Sequence, residues 1–299
     1  MVDRIKTLSI LLLMLTLFLA AKSEQKIPAY YKTGIISGNL TEIKTKVKTV
    51  LSEKQFKLIG SYHPEGKSGL YVMVFTRKDL QIVGLKNTNN GALINALKVG
   101  FVKKTSGYEV NFVNPEYLFR GYFGKKYQTY VSSLKNIIND FKQQMKKLSG
   151  TLTAFGGGLS DSDLEKYHFM IGMPYFDDFV TLKEFDSFET GLAVIKKNLD
   201  AQKGGCKKVY QLVYSKVKVA VFGIALTDKE KGELRFLPII GEDHIAAMPY
   251  EIMLTGNKAI MLHGRFRFAF YWPTLTMGTF TKIMSTPGDV EDQLKLLTK

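Results

Sequence analysis

Two short segments combine histidine and methionine two positions apart. They are His168-Phe-Met170 and Met261-Leu-His263. Because side chains at i and i+2 of a strand point to the same face, each segment would direct one imidazole and one thioether into a common space. Thioether and imidazole ligands suit copper(I). His168, Met170, Met261 and His263 are therefore a candidate copper(I) site, and the alternative is that the methionines only fill a strand core.

Groups suited to acid–base chemistry occur at Glu242-Asp-His244 and at Asp177-Asp178. Neither set has a partner at the spacing of a catalytic motif, and solvated loop charges are the simpler interpretation. The chain has no G-x-S-x-G, H-E-x-x-H or C-x-x-C sequence. The sequence therefore favours binding over catalysis, and we expect no cofactor. A hydrolase-type or other enzyme with dispersed active groups is the alternative.

Aromatic residues and two arginines cluster near the C-terminus. Arg265 and Arg267 alternate with phenylalanines up to Phe270, which predicts a strand with phenylalanines on one face and guanidinium groups on the other. The arginines can meet an anionic ligand, and the neighbouring aromatic rings can line a groove between two halves of the protein. The candidate ligand-binding residues are Tyr250, Arg265, Arg267, Tyr271 and Trp272.

The N-terminus has the pattern of a secretory signal. Arg4 and Lys6 precede an apolar run from Leu8 to Ala21, and small residues follow. Ala21-Lys-Ser23 puts small residues at the two positions that a signal peptidase reads, so we expect cleavage after Ser23. The apolar run is also shorter than the roughly 20 residues that span a bilayer. The mature chain is then periplasmic or secreted and has no transmembrane span. The alternative is that the segment is retained as an anchor.

The charge of the chain indicates the kind of partner. The formal net charge is +15, with 42 Lys and Arg against 27 Asp and Glu. A basic surface favours acidic partners, and export argues against nucleic acid as one of them. The expected partner is a small anionic or amphipathic ligand or an acidic envelope protein. Cys206 is the only cysteine, so the chain cannot form an intramolecular disulfide.

Matching patterns predict an internal repeat. Capping boxes at Asn39 and Asp186 each open a helical apolar stripe, and 33 residues after each lies a compact apolar run, Val72–Phe75 and Val219–Phe222. We match the alternating run Tyr108–Phe112 with Phe266–Phe270. This match lengthens the offset between the copies from 147 to 158 residues and predicts about eleven extra residues in the second copy.

The repeat sets the expected architecture. Each half reads as a strand, a long helix, several antiparallel strands and a closing helix, which is an α+β pattern. The expected boundaries are a signal peptide at 1–23, a first repeat at 24–150 and a second repeat at 164–299. The stretch 151–163 contains Gly156-Gly-Gly158 and no periodicity, so we interpret it as a linker.

Residues in both halves carry a family resemblance. In the first half they are Val72–Phe75, the segment from Gly91 to Val102, and "YEVNFVNPEY" from Tyr108 to Tyr117. In the second half they are "VAVFG", the Met248-Pro249 step and the stretch into Trp272-Pro273. With these residues the chain resembles the bacterial domain-of-unknown-function family 302 over most of 30–145 and, more weakly, over 165–299. Pro249 departs from a strict repeat, because its counterpart near Leu97 is not a proline.

The resemblance implies a β-α-β4-α fold of the TATA-box-binding-protein-like type, used as a small dimerising module of unknown biochemistry. The usual members carry one copy, so a fused pair would be such a dimer made covalent. We therefore expect two pseudo-repeated α+β domains whose antiparallel sheets carry helices on one face. The expected function is binding between the halves without catalysis, and a purely structural envelope protein is a further alternative.

Overall fold

The computed structural model describes residues 25–64, 66–87, 91–167 and 172–299. The expected signal peptide and two of the candidate copper ligands, His168 and Met170, lie outside these ranges. Within the described residues, no helix combines the length and the apolar composition that crossing a membrane requires.

The first repeat contains five strands and four helices within the described ranges. Its elements are β1 (Ile27–Ile36), α1 (Leu40–Ser52), β2 (Lys57–Tyr62), β3 (Leu70–Thr76), α2 (Lys78–Lys86), the 91–95 turn (Gly91–Asn95), β4 (Leu97–Lys104), β5 (Gly107–Val113), α3 (Pro115–Phe123) and α4 (Tyr127–Lys146). The predicted capping box is confirmed. The Asn39 side chain accepts from the Glu42 amide, and the Glu42 carboxylate accepts from the Asn39 amide.

A connecting segment and the second repeat follow. The connection contains β6 (Thr153–Leu159) and α5 (Asp161–Glu165). The second repeat contains β7 (Phe179–Glu184), α6 (Phe188–Asp200), β8 (Cys206–Tyr214), β9 (Val219–Leu226), α7 (Glu233–Ile240), the 242–247 turn (Glu242–Ala247), β10 (Tyr250–Thr255), β11 (Lys258–Leu262), α8 (Gly264–Tyr271), α9 (Met277–Phe280) and α10 (Thr286–Leu296).

The two sheets have the same topology, which confirms the α+β fold with two antiparallel sheets. The first has the order β2-β3-β4-β5-β1 with β6 added beside β1, and the second has the order β8-β9-β10-β11-β7. Corresponding elements begin at nearly constant separations: 148 residues for α1 and α6, 149 for β3 and β9, and 149 for α3 and α8. The two copies are thus almost equal in length, and the predicted insertion of eleven residues is wrong.

The insertion was predicted because the aromatic run Phe266–Phe270 was assigned to a strand. It lies in helix α8, and the true counterpart of β5 is β11. Most residues of α8 are buried, including Phe266, Arg267 and Phe268 in succession. A helix buried on nearly all sides has no exposed polar stripe, so it loses the 3.6-residue period that identifies helices in a sequence.

The glycine-rich segment that we interpreted as a linker is an edge strand. Its strand, β6, pairs antiparallel with β1 at the edge of the first sheet. Gly156 has φ +76°, and a Cβ there would lie 2.8 Å from the Tyr30 ring and 2.9 Å from His244 Nε2. The glycines thus let the strand pass close over both repeats. The second capping box also differs, because the N-cap of α6 is Ser187, which accepts from the Thr190 amide.

The repeats pack against each other through equivalent elements. The 91–95 turn contacts β9 and β10, and the 242–247 turn contacts β3, β4 and β5. The edge strands β2 and β8 meet at Gly60, where an added Cβ would collide with the Val209 carbonyl oxygen. Buried apolar side chains of both repeats form one continuous cluster. The arrangement has the form of a twofold dimer interface inside one chain.

We predict that Gly60→Ala destabilises the protein, because its methyl group would force β2 away from β8. Overpacking of this kind costs about 1–3 kcal/mol, measured as a lower midpoint of urea unfolding. Gly288→Ala in α10 is the matched control, since a Cβ there meets no atom within 4 Å. An unchanged midpoint for Gly60→Ala would contradict the close approach of the two strands.

Candidate functional site

The structure brings four of the five predicted ligand-binding residues together but buries them. Tyr250, Arg267, Tyr271 and Trp272 are 1%, 1%, 3% and 2% exposed. Arg265 is exposed. The expectation that both arginines share one strand face is wrong, since residues two apart on a helix lie on nearly opposite sides. Arg267 points into the contact between the repeats and Arg265 points away from it.

Arg267 belongs to a charged cluster at the centre of that contact. Lys98 of the first repeat forms an ion pair with Glu251 of the second, and Arg267 Nη2 lies 3.7 Å from Glu251 Oε2. Lys98 Nζ also donates to the Pro249 carbonyl at 2.9 Å, as Arg267 Nη2 does at 3.0 Å. The guanidinium stacks on the Tyr250 ring, 3.7 Å from its centroid. This closely packed cluster, which we call the central charge cluster, occupies the position where we expected a ligand groove.

Burial shifts the pKa values of two groups in and beside this cluster. It lowers the pKa of Lys98 to about 8, although Glu251 opposes the shift. It raises the pKa of Glu233 to about 7, against hydrogen bonds from the Tyr62 hydroxyl and the Leu226 amide. Tyr62 belongs to the first repeat and Glu233 to the second, so this hydrogen bond also joins the repeats.

An apolar pocket opens on the outer side of α8. It has a volume of about 70 Å³. Its walls are almost entirely apolar, and the lining residues are Met173, Arg265, Phe268, Ala269, Trp272, Leu275, Met277 and Phe280. Trp272 Nε1 is buried and has no hydrogen-bond partner within the described part of the chain. Arg265 and Met277 are exposed. We call this cavity the Arg265–Trp272 pocket.

A wide cleft adjoins the Arg265–Trp272 pocket, since Met173 and Arg265 line both. Its other lining residues are Gly172, Pro174, Tyr175, Asp178 and His263. His263 is the N-cap of α8, and its Nδ1 accepts the Arg265 amide N–H at 3.2 Å. Partial burial, together with Arg265, lowers the pKa of His263. Because Nδ1 accepts this bond, the neutral ring carries its proton on Nε2.

The structure describes only two of the four candidate copper(I) ligands, Met261 and His263. Met261 is buried in β11, and His263 follows that strand rather than lying within it. The acceptor nitrogen of His263 is occupied by the Arg265 amide, so metal binding there would break the helix cap. Within the described residues, no group of three or more His, Cys, Asp or Glu side chains is arranged to hold a metal.

The acid–base candidates at 242–244 take separate partners. Glu242 pairs with Lys67 at 2.6 Å, while His244 Nδ1 and Asp243 Oδ1 lie 2.8 Å apart. His244 holds the pKa of Asp243 below its usual range through this hydrogen bond. His244 Nε2 faces the backbone of Gly156, and the ring packs on Tyr30 with centroids 4.9 Å apart. The pair resembles a catalytic dyad in its contact, but β6 covers the His244 ring while the Asp243 side chain stays exposed.

Sequence reasoning missed the methionines of the Arg265–Trp272 pocket. This pocket is lined from two segments about 100 residues apart in the sequence. Met173 precedes α8, and Met277 and Phe280 follow it. Only the fold brings them together. The available sequence signal was the position of Met277 in a short polar segment, where an apolar side chain has no adjacent core pattern to join.

A wider pocket of about 380 Å³ lies at the C-terminal end of α3. Tyr122, Tyr167 and Phe176 contribute rings to it, and Lys125, Lys126 and Lys166 are among its other lining residues. Its walls include Asn87 and Tyr167, which adjoin residues outside the described ranges. The Arg265–Trp272 pocket contains two of the residues predicted to bind ligand.

Comparisons with known proteins do not establish a family for this chain. No family model matches the sequence, and no curated protein matches it. Among solved structures, the chain is similar to the uncharacterized conserved protein DUF302 from Bacillus stearothermophilus. That likeness has 8% sequence identity and a TM-score of 0.34, and it covers 40% of this chain and 97% of that chain.

We predict that Glu233 makes stability depend on pH. Its folded pKa of about 7 lies above the usual value of 4.5, so the folded state retains a proton that the unfolded chain loses first. The protonated Glu233 carboxyl therefore contributes a stability that is fully present below pH 4.5 and is lost as the pH rises through 7. Glu233→Gln should raise the thermal midpoint relative to the parent protein by more at pH 8 than at pH 5. The corresponding difference in unfolding free energy is on the order of 1–3 kcal/mol.

Glu184→Gln is the matched control for this prediction, because Glu184 is exposed and should leave the pH profile unchanged. A Glu233→Gln effect of equal size at pH 5 and pH 8 would contradict the assignment of the protonated carboxyl.

Proposed function

We propose that this protein binds a small amphipathic anion in the Arg265–Trp272 pocket and catalyses no reaction there. The observation that carries the proposal is the pairing of a nearly all-apolar cavity with one exposed arginine, Arg265, in its lining. Binding pockets commonly combine mostly apolar walls with a few oriented polar groups.

The cavity supports recognition of an apolar group. Phe268, Leu275 and Phe280 contribute apolar side chains to its walls. Each buried CH₂ of a ligand would contribute about 0.8 kcal/mol. The volume of about 70 Å³ limits the buried part to a short chain or one edge of a ring. The remainder of the ligand would then lie outside the pocket, against Met173 and the cleft.

The polar groups support recognition of an anion. Arg265 is one of the exposed basic residues of a chain with 42 Lys and Arg, and it lines both cavities. The Nε2–H of neutral His263 offers a second donor in the cleft.

The cellular setting belongs to the same proposal. The signal-like N-terminus supports export, with the mature chain in the periplasm or outside the cell. The resemblance to family 302 supports a TATA-box-binding-protein-like description of each repeat. An acidic envelope protein that inserts an apolar side chain is the alternative occupant of the same pocket.

The single tryptophan provides a direct test. We predict that 1-anilinonaphthalene-8-sulfonate binds the purified protein and that excitation of Trp272 transfers energy to the bound probe. The matched neutral probe is N-phenyl-1-naphthylamine, which lacks the sulfonate. Arg265→Gln should weaken the sulfonate probe on the order of fivefold, since an exposed ion pair contributes up to about 1 kcal/mol. It should leave the neutral probe unchanged.

Arg235→Gln is the matched control, because Arg235 is exposed on α7 and does not line the pocket. The proposal is wrong if Trp272 transfers no energy to either probe. It is also wrong if Arg265→Gln and Arg235→Gln have equal effects on the sulfonate probe.

A further inference from the structure

Lys98 and Glu251, the two partners of the buried ion pair, occupy the same position in the two repeats. Lys98 is the second residue of β4 and Glu251 is the second residue of β10. Lys98 pairs with Val74 of β3, and Glu251 pairs with Gly223 of β9, the residue equivalent to Val74. The ion pair therefore joins a residue to its own counterpart.

Other counterparts also meet across the interface. Tyr122 and Tyr271 are the eighth residues of α3 and α8, and their hydroxyl oxygens lie 3.1 Å apart. Gly60 and Val209 are the fourth residues of β2 and β8, and they are in contact. A residue touches its own counterpart only at the axis of a twofold arrangement. The pseudo-twofold axis of the molecule thus passes close to all three pairs.

The charges at this axis are divided unequally between the repeats. The first repeat contributes Lys98, and the carboxylates that act on Lys98 are Glu251 and Glu233, both from the second repeat. The position equivalent to Arg267, the fourth residue of its helix, is Leu118 in the first repeat. At this axis the first repeat therefore presents a buried cation with no carboxylate of its own acting on it.

We propose that this opposite-charge pair makes the two repeats pair with each other and prevents the first repeat from pairing with a copy of itself. A symmetric contact between two first repeats would bury two ammonium groups against each other without a counter-ion. Like charges brought together in a desolvated contact are strongly unfavourable. A dimer built from like repeats needs both like contacts at once, so the lysine contact alone excludes it. A second copy of this chain can associate through this surface only by exchanging unlike repeats.

The test uses two full-length variants, Lys98→Glu and Glu251→Lys. Each places like charges at the axis of its own chain. A 1:1 mixture restores an opposite pair at both contacts if the chains exchange repeats. After refolding from urea, we expect native mass spectrometry to show a dimer containing one chain of each variant. This mixed dimer should exceed either homodimer by at least about tenfold, and the parent protein should remain monomeric.

The double variant Lys98→Glu with Glu251→Lys keeps the test decisive if the single variants fold poorly. It restores the opposite pair within one chain, so its urea midpoint should exceed that of Glu251→Lys by about 1 M or more. The matched control is the exposed pair Glu184 and Lys258, within the second repeat and 3.6 Å apart. Glu184→Lys and Lys258→Glu should change neither the urea midpoint nor the monomeric state seen by native mass spectrometry.

Either of two results would overturn the proposal. One is a mixture in which homodimers and mixed dimers occur in statistical proportions. The other is a double variant no more stable than Glu251→Lys alone.

Discussion

The central constraint on this molecule is the burial of ionic groups between its two halves. Lys98, Glu251 and Arg267 are each nearly inaccessible to solvent. Removing such ions from water costs several kcal/mol apiece, and only well-placed partners offset that cost. The partners come from both repeats, so the buried ions are paired only when the repeats close together in this arrangement. A closed arrangement that left any of them unpaired would be strongly destabilised.

This constraint also determines where a ligand can bind. The residues that we expected to line a groove are held in the contact by hydrogen bonds from the other repeat. Tyr30 and Tyr117 donate to the carbonyl oxygens of Tyr271 and Phe270, which fixes the end of α8 against the first repeat. Opening a groove there would expose these bonds and the ion pair together. The outer side of α8 faces away from this contact, so a pocket can form there around Arg265.

The sequence predicted the repeat well because its evidence was local. The capping box at Asn39, the apolar run Val72–Phe75 and its copy 147 positions later all depend on neighbours within a few residues. The errors lie where burial removes a local signal. Helix α8 is apolar on nearly every side, so its alternating phenylalanines imitated a strand. Strand β6 is rich in glycine, so it imitated a linker while pairing with β1.

The amino-acid order by itself determined an α+β chain with two similar halves and the presence of Arg265 and Trp272 beside an aromatic run. The tertiary structure alone decided that Arg267 is buried while Arg265 is exposed, and that Met173 and Met277 share a pocket. It also decided that Lys98 faces Glu251, although in the sequence each is an ordinary charged residue within a strand. The physical reason is that side-chain periodicity depends on local backbone geometry, whereas burial and charge pairing depend on which distant surfaces come into contact.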